Sequence, residues 1–239
     1  MSTPDLAAKP PAPFLAPDHI TDAREAVADE GYLLIPGGYD VEACRSIVRL
    51  IDTWGDPAQH EINYSGTELR VWDAQSRDPR LAEFTRQSDA FLTAMTGREM
   101  RAHTLLAIRN LALAPDDARS TLGRWHLDSF KQQLKIFLFL TDTTEESGPF
   151  EFFPRTHRAR FKVPRLLEGR YLSVGDMLAG KRTYSSLDET WIQALIDQGY
   201  APLPVVCPAG TILEVDSSAV HRARPCRQGS RYALTAYYR

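Results

Sequence analysis

The chain has 239 residues, 43% of them hydrophobic, which is enough for one domain with a sizeable core that needs no covalent staple. A net charge of −3 argues against nucleic acid or an anionic membrane as the principal partner. Three cysteines, Cys44, Cys207 and Cys226, are far apart and odd in number; they point away from a disulfide framework or a Cys-x-x-Cys zinc site and fit a reducing cytoplasm.

Residues 1–18 are rich in Pro and Ala and are expected to form a disordered arm rather than a signal peptide. No apolar stretch approaches the roughly 20 residues that span a bilayer. A single domain is expected over 19–239. Helical spacing of Ile20, Ala23, Ala26 and Val27 predicts a helix over His19–Glu30 that stops at Gly31. A β-like run, Tyr32–Ile35, follows and closes at Pro36-Gly37-Gly38. Asp40–Trp54 is again helical, with Asp40 as its cap and Cys44, Ile47, Val48 and Ile51 on the buried face. Leu81–Thr96 is a further amphipathic helix.

After Gly97 the pattern turns to short β-branched and aromatic runs: His103–Ala114, Leu134–Thr141, Pro149–Phe153, Val205–Cys207, Thr211–Val215 and Arg231–Tyr238. Turn residues separate them, as in a sandwich or barrel. Residues 158–201 interrupt this framework, carry a predicted helix over Leu187–Gln198, and have the placement of a substrate lid.

The stretch Arg124-Trp125-His126-Leu127-Asp128 is the most informative. In an extended chain, residues two apart share a face, so His126 and Asp128 can reach one ion together. His221, just beyond the strand that begins at Thr211, is the best third ligand. Two imidazoles and one carboxylate on one side of an ion leave open the positions that a bidentate cosubstrate and dioxygen need, the arrangement of non-haem iron(II) oxygenases. Arg231 lies ten residues after His221, across the turn Pro225–Gly229. If that turn is a hairpin, the two side chains share a face on adjacent strands, and the guanidinium can clamp the far carboxylate of a dicarboxylic acid. The competing readings are a surface ion pair for Arg231 and, as the clamp, Arg227.

Taken in order, these residues resemble the phytanoyl-CoA dioxygenase family of iron(II)/2-oxoglutarate enzymes. The resemblance runs from about His19 to Tyr238. It is carried by Glu30–Gly38, by Trp125-His126-Leu127-Asp128, by Ile136–Pro149, by Phe153-Pro154-Arg155-Thr156-His157 (where that family usually has Pro-Gly-Ser-His), and by Pro208–Thr211, the His221 segment and Arg231. The resemblance implies a mainly β fold with flanking helices, a double-stranded β-helix of jelly-roll, cupin-like form. It implies iron(II) held by His126, Asp128 and His221, with 2-oxoglutarate and O2 as cosubstrates and Arg231 on the distal carboxylate. Asn110 resembles an upstream polar residue that contacts the cosubstrate in relatives, although a strand Asn can equally serve a bulge. The implied reaction is hydroxylation of an unactivated C–H bond of a small molecule, with release of succinate and CO2. Desaturation and ring closure stay open; halogenation is disfavoured because Asp128 fills the position a halide would need.

Lys135 can face the pocket or snorkel to solvent, and the second is the ordinary behaviour of lysine. His103 and His157 are read as a strand-end residue and a loop hydrogen-bonder, not as ligands. Arg155, Arg158, Arg160, Lys162, Arg165 and Arg170 form a basic stretch that suits an anionic substrate, or equally a solvated loop. Two rival functions remain: a cupin-like isomerase or hydrolase that uses the same ligands without 2-oxoglutarate, and a non-catalytic binding protein on the same barrel.

Overall fold

Local signals fix the N-terminal elements. Helix α1 (Ile20–Glu30) stops where Gly31 takes φ 89° and its N–H bonds back to Val27 O. Strand β1 (Tyr32–Ile35) leads to α2 (Val41–Asp52), whose cap Asp40 accepts a 2.7 Å bond from Ala43 N. Asp78 caps α3 (Pro79–Thr96), which ends at left-handed Gly97. These boundaries agree with those the sequence predicts to within two residues. The computed structural model describes Phe14, residues 19–54, 61–63, 67–113, 123–168, Gly175 and 186–238. Phe14, from the N-terminal arm, is buried against Tyr39, Phe84 and Phe91; the rest of the arm lies outside the described residues.

The other strands are β2 (Glu61–Asn63), β3 (Glu68–Val71), β4 (Thr104–Leu111), β5 (Leu134–Phe139), β6 (Phe150–Phe152), β7 (Leu203–Pro204), β8 (Ile212–Asp216), β9 (His221–Ala223) and β10 (Ser230–Tyr237). They form two antiparallel sheets, a larger one in the order β1-β8-β5-β10-β4-β3-β2 and a smaller one in the order β7-β6-β9. Leu213, Val215 and Phe139 from the larger sheet meet Phe150 and Phe152 from the smaller one in the space between. On the outer face of the larger sheet, Leu134, Ile136, Leu138, Ile212, Leu234 and Ala236 pack against the helical layer. Alternation along β5, β8 and β10 therefore sends one set of side chains to the helices and the other into the barrel, the double-stranded β-helix that the resemblance implies. Among the described residues no helix is long and apolar enough to cross a membrane.

Three elements depart from expectation. Strands β2 and β3 extend the large sheet where the sequence reading placed none. The run Val205–Cys207 joins the small sheet two residues early, at Leu203–Pro204, and Cys207 makes only an isolated bridge to Thr143. The insertion begins with α4 (Ala159–Glu168) and later carries α5 (Glu189–Asp197), the helix expected there. Gly-Ser in the related loop is replaced here by Arg155-Thr156, yet Arg155 keeps a glycine-like φ of 69°. Its N–H bonds to Glu30 O and its guanidinium to the Glu30 carboxylate, contacts that hold the left-handed turn.

On β8, Glu214 shares the helix-facing side with Ile212 and is almost fully buried, with Oε2 lacking a hydrogen-bond partner among the described residues. Burial, reinforced by Asp216, pushes its pKa up to about 8. The folded state therefore keeps a proton that the unfolded chain has already lost, and stability falls as pH rises through the folded pKa. We expect denaturation to show a loss of about 1 kcal/mol between pH 7 and 8 that Glu214→Gln removes. Equal pH slopes in the two proteins would show that the acid is not buried neutral.

Candidate metal centre

His126 sits on an extended segment joined to β9 by paired 2.9 Å backbone bonds with His221, and Asp128 N bonds to Ser217 O at 3.2 Å. Alternation does the rest. Trp125 and Leu127 turn away into a second core with Phe153, Phe161, Leu187, Ile192, Leu195 and Val220, and His126 and Asp128 turn inward. Asp128 Oδ1 lies 3.6 Å from His126 Nε2, and its Oδ2 lies 3.6 Å from His221 Nε2. One donor atom from each of the three side chains falls within 4.8 Å of the others, the only such group of His, Cys, Asp and Glu among the described residues.

The protonation pattern suits a divalent ion. His126 Nδ1 is 2.9 Å from Arg124 O, and His221 Nδ1 is 2.9 Å from Ala219 O. A carbonyl can only accept, so each Nδ1 carries the proton and each Nε2 offers a lone pair. Burial pushes the His221 pKa down to about 3, which keeps the imidazole neutral. For Asp128, burial opposes ionisation, but the Lys135 ammonium beside it outweighs burial and holds the carboxyl well below its usual range. Two imidazole Nε2 atoms and an ionised carboxylate are the donor set of a first-row divalent metal with open positions.

His221 and Arg231 do come together, but not as the hairpin reading expects. β9 pairs with β6 in the small sheet, whereas β10 pairs with β4 and β5 in the large one. The turn Pro225–Gly229 thus crosses between sheets, and the two side chains meet across the sandwich in a cavity of about 230 Å3 that also holds His126, Asp128 and Lys135. Arg231 is 5% exposed, and burial lowers its pKa to about 10, leaving a cation at neutral pH. Asn110 is its register partner. With both ends of the amide satisfied, Asn110 accepts from Arg231 Nη2 at 2.7 Å and donates to Glu68 Oε2 at 3.0 Å. Arg231 Nη1 is buried with no hydrogen-bond partner among the described residues. A buried donor of this kind needs an acceptor, and a carboxylate entering the cavity supplies one.

The readings of the remaining candidates divide. Lys135 does not snorkel: its side chain is 7% exposed, and Nζ pairs with Asp128. His103 is exposed just before β4, and His157 Nε2 lies 3.3 Å from Ala28 O. Arg227 is an exposed turn residue. In the basic stretch, Arg155 pairs with Glu30 and Arg158 with Asp29, both on α1. Lys162 is buried and donates to Phe130 O at 2.8 Å and Ser218 Oγ at 2.7 Å, tying α4 to both ligand-bearing segments. The side chains of Arg165 and Arg170 lie outside the described residues.

Sequence reading missed Glu68 and Arg70. They face each other at 2.8 Å and line a second cavity of about 480 Å3, which shares Arg70, His126, Ala223 and Arg231 with the metal cavity. The polar–apolar alternation of Glu68-Leu69-Arg70-Val71 is the signal that could have exposed them.

No protein-family model and no curated protein matches the chain. Solved structures do. The chain is similar to the epimerase SnoN in complex with Fe3+, alpha ketoglutarate and nogalamycin RO, with TM-score 0.69, 17% identity, and 93% of this chain and 84% of that chain covered. It is similar to the non-haem alpha ketoglutarate-dependent carbocyclase SnoK from nogalamycin biosynthesis, with TM-score 0.67, 16% identity, and coverage of 95% and 86%. It also resembles HygX from Streptomyces hygroscopicus with nickel, 2-oxoglutarate and hygromycin B bound, with TM-score 0.60, 16% identity, and coverage of 91% and 86%. These likenesses establish the jelly-roll fold.

Proposed function

We propose that the chain is a mononuclear iron(II), 2-oxoglutarate-dependent oxygenase, akin to the phytanoyl-CoA dioxygenase family, that hydroxylates an unactivated C–H bond of a small molecule. The observation that carries this reading is one cavity in which His126, Asp128 and His221 converge and Arg231 offers a buried Nη1 without an acceptor among the described residues. Those three side chains would hold the iron, and Arg231 the far carboxylate of 2-oxoglutarate. In a cupin-like isomerase or hydrolase that uses the same three side chains without 2-oxoglutarate, Arg231 would have no keto acid to clamp, and a binding protein would show no metal-dependent turnover.

Iron(II) with 2-oxoglutarate supplies dioxygen activation, coupled to oxidative decarboxylation of the keto acid to succinate and CO2, and an oxidant able to take hydrogen from carbon. The protein supplies placement. Neutral Nε2 atoms and an ionised Asp128 fix the donor face, Asn110 sets the plane of the Arg231 guanidinium, and Phe137, Phe139 and Phe150 wall the cavity against water. The adjoining 480 Å3 cavity, which reaches His126, is of a size for a small-molecule substrate. Arg124 and Arg231 on its wall suit an anionic group on that substrate, while Arg70 pairs with Glu68 and Arg224 with Glu145 and Glu151.

A second outcome of the same hydrogen abstraction, epimerisation or ring closure, is favoured by the names of the similar structures, an epimerase and a carbocyclase. Three free thiols agree with a cytoplasmic setting. Anaerobic titration of metal-free protein with iron(II) and 2-oxoglutarate tests the core of the reading. We expect a visible metal-to-ligand charge-transfer band that needs both components. Folded protein that binds iron but gives no band would move the isomerase or hydrolase ahead.

A further inference from the structure

Lys135 is the charged residue the sequence leaves least explained. It stands in β5, between β8 and β10, so its backbone is fixed on both sides opposite Val215 and Tyr237. Its neighbours Leu134 and Ile136 turn to the helical layer, so Lys135 must point inward, toward the cavity walled by Phe137, Phe139 and Phe150. There Nζ meets Asp128 Oδ2 and lies 4.6 Å from the centre of the Tyr237 ring. An inward ammonium in an apolar barrel is costly without an anion, and the anion it uses is a metal-ligand carboxylate.

This has an electrostatic consequence. Lys135 and a divalent ion draw on the same carboxylate, and the nearby Arg231 is a further cation in the cavity. Within a few ångströms and away from bulk water, like charges repel by far more than in solvent. A metal arriving alone adds two positive charges to a cavity already holding two basic side chains against one acid on its wall from Asp128, with Arg70 balanced by Glu68. A dianion arriving with the metal cancels that addition.

We propose that Lys135 is a positioning residue that holds Asp128 Oδ2, weakens the binding of a divalent metal on its own, and thereby makes firm metal binding depend on an anionic cosubstrate. Its action on the metal follows from the contact with Asp128 alone; the dependence on a dicarboxylate rests on the oxygenase reading above. With Oδ2 in the ion pair to Lys135, Oδ1 would be the freer oxygen for a metal. The site is thereby protected from loading with metal in the absence of its partner anion.

The test uses metal-free full-length protein and Mn(II), with free Mn(II) counted by electron paramagnetic resonance. Lys135→Met is expected to bind Mn(II) alone about tenfold or more tighter than wild type, and Lys135→Arg to stay within about threefold of wild type. Added 2-oxoglutarate should tighten Mn(II) binding more in wild type than in Lys135→Met. A gain in affinity is not what a packing defect produces, since a loosened site binds metal less well. Folded Lys135→Met with unchanged or weaker Mn(II) affinity would overturn the proposal. Should that variant fail to fold, Lys135→Gln measured in the same way decides it. A gain in the metal-only arm with no effect of 2-oxoglutarate in wild type would sink the cosubstrate reading while leaving the action of Lys135 on the metal in place.

Discussion

His221→Ala is expected to abolish the charge-transfer band and to weaken iron(II) binding roughly 100-fold or more. Loss of a residue that only orients a metal ligand commonly costs 10- to 100-fold, so loss of the ligand itself should reach at least the upper end. The fold should survive. The His221 ring is 2% exposed and its aromatic neighbours are His126 and Phe150, so removing it opens a small cavity beside the barrel core without breaking a strand. The backbone bonds that pair His221 with His126 are untouched by the change. Anaerobic titration followed in the visible, with a thermal melt of the same sample, separates loss of ligand from loss of fold. A variant that melts normally and still gives the band would remove His221 from the metal site.

Arg231→Leu should leave metal affinity within about threefold of wild type and weaken 2-oxoglutarate binding roughly 100-fold or more, as expected when one partner of a buried charged pair is lost. The separation of the two effects is what identifies the residue. Arg231 lines the same cavity as the three candidate ligands, but its hydrogen bond is to Asn110, which links it to Glu68. Stability should not suffer greatly, because burial already disfavours the guanidinium charge and Glu68 keeps Arg70 as its partner. The measurement is the keto-acid concentration that half-saturates the band at fixed iron(II). Equal half-saturation in wild type and variant would show that the far carboxylate binds elsewhere.

Both predictions concern residues named from the sequence, but within the site only the His126–Asp128 pair has a purely local reason. His126 and Asp128 are two apart in an extended segment, and that spacing alone directs them to one face. Helices α1, α2 and α3 were equally legible, since Gly31, Asp40, Asp78 and Gly97 are terminal signals that act within a few residues. Strands β2 and β3 were missed because Glu61–Asn63 and Glu68–Val71 are short, and the pairing of β3 with β4, on which β2 then adds, is fixed by distant chain.

The sequence by itself picked out the candidate metal donors, the class of fold and a cation ten residues after His221. Only the tertiary structure decided how that cation reaches the same cavity. Arg231 and His221 lie in different sheets and meet across the interior, a consequence of the chain changing sheets at Pro225–Gly229, which no local pattern records. The same holds for Lys135. A lysine in an apolar strand ordinarily escapes to solvent along its own stem. Here β8 and β10 enclose β5 on both sides, the barrel closes over it, and the nearest charge it can reach is Asp128. Side-chain direction is set by neighbours in sequence; what a side chain meets is set by strands brought in from elsewhere in the chain.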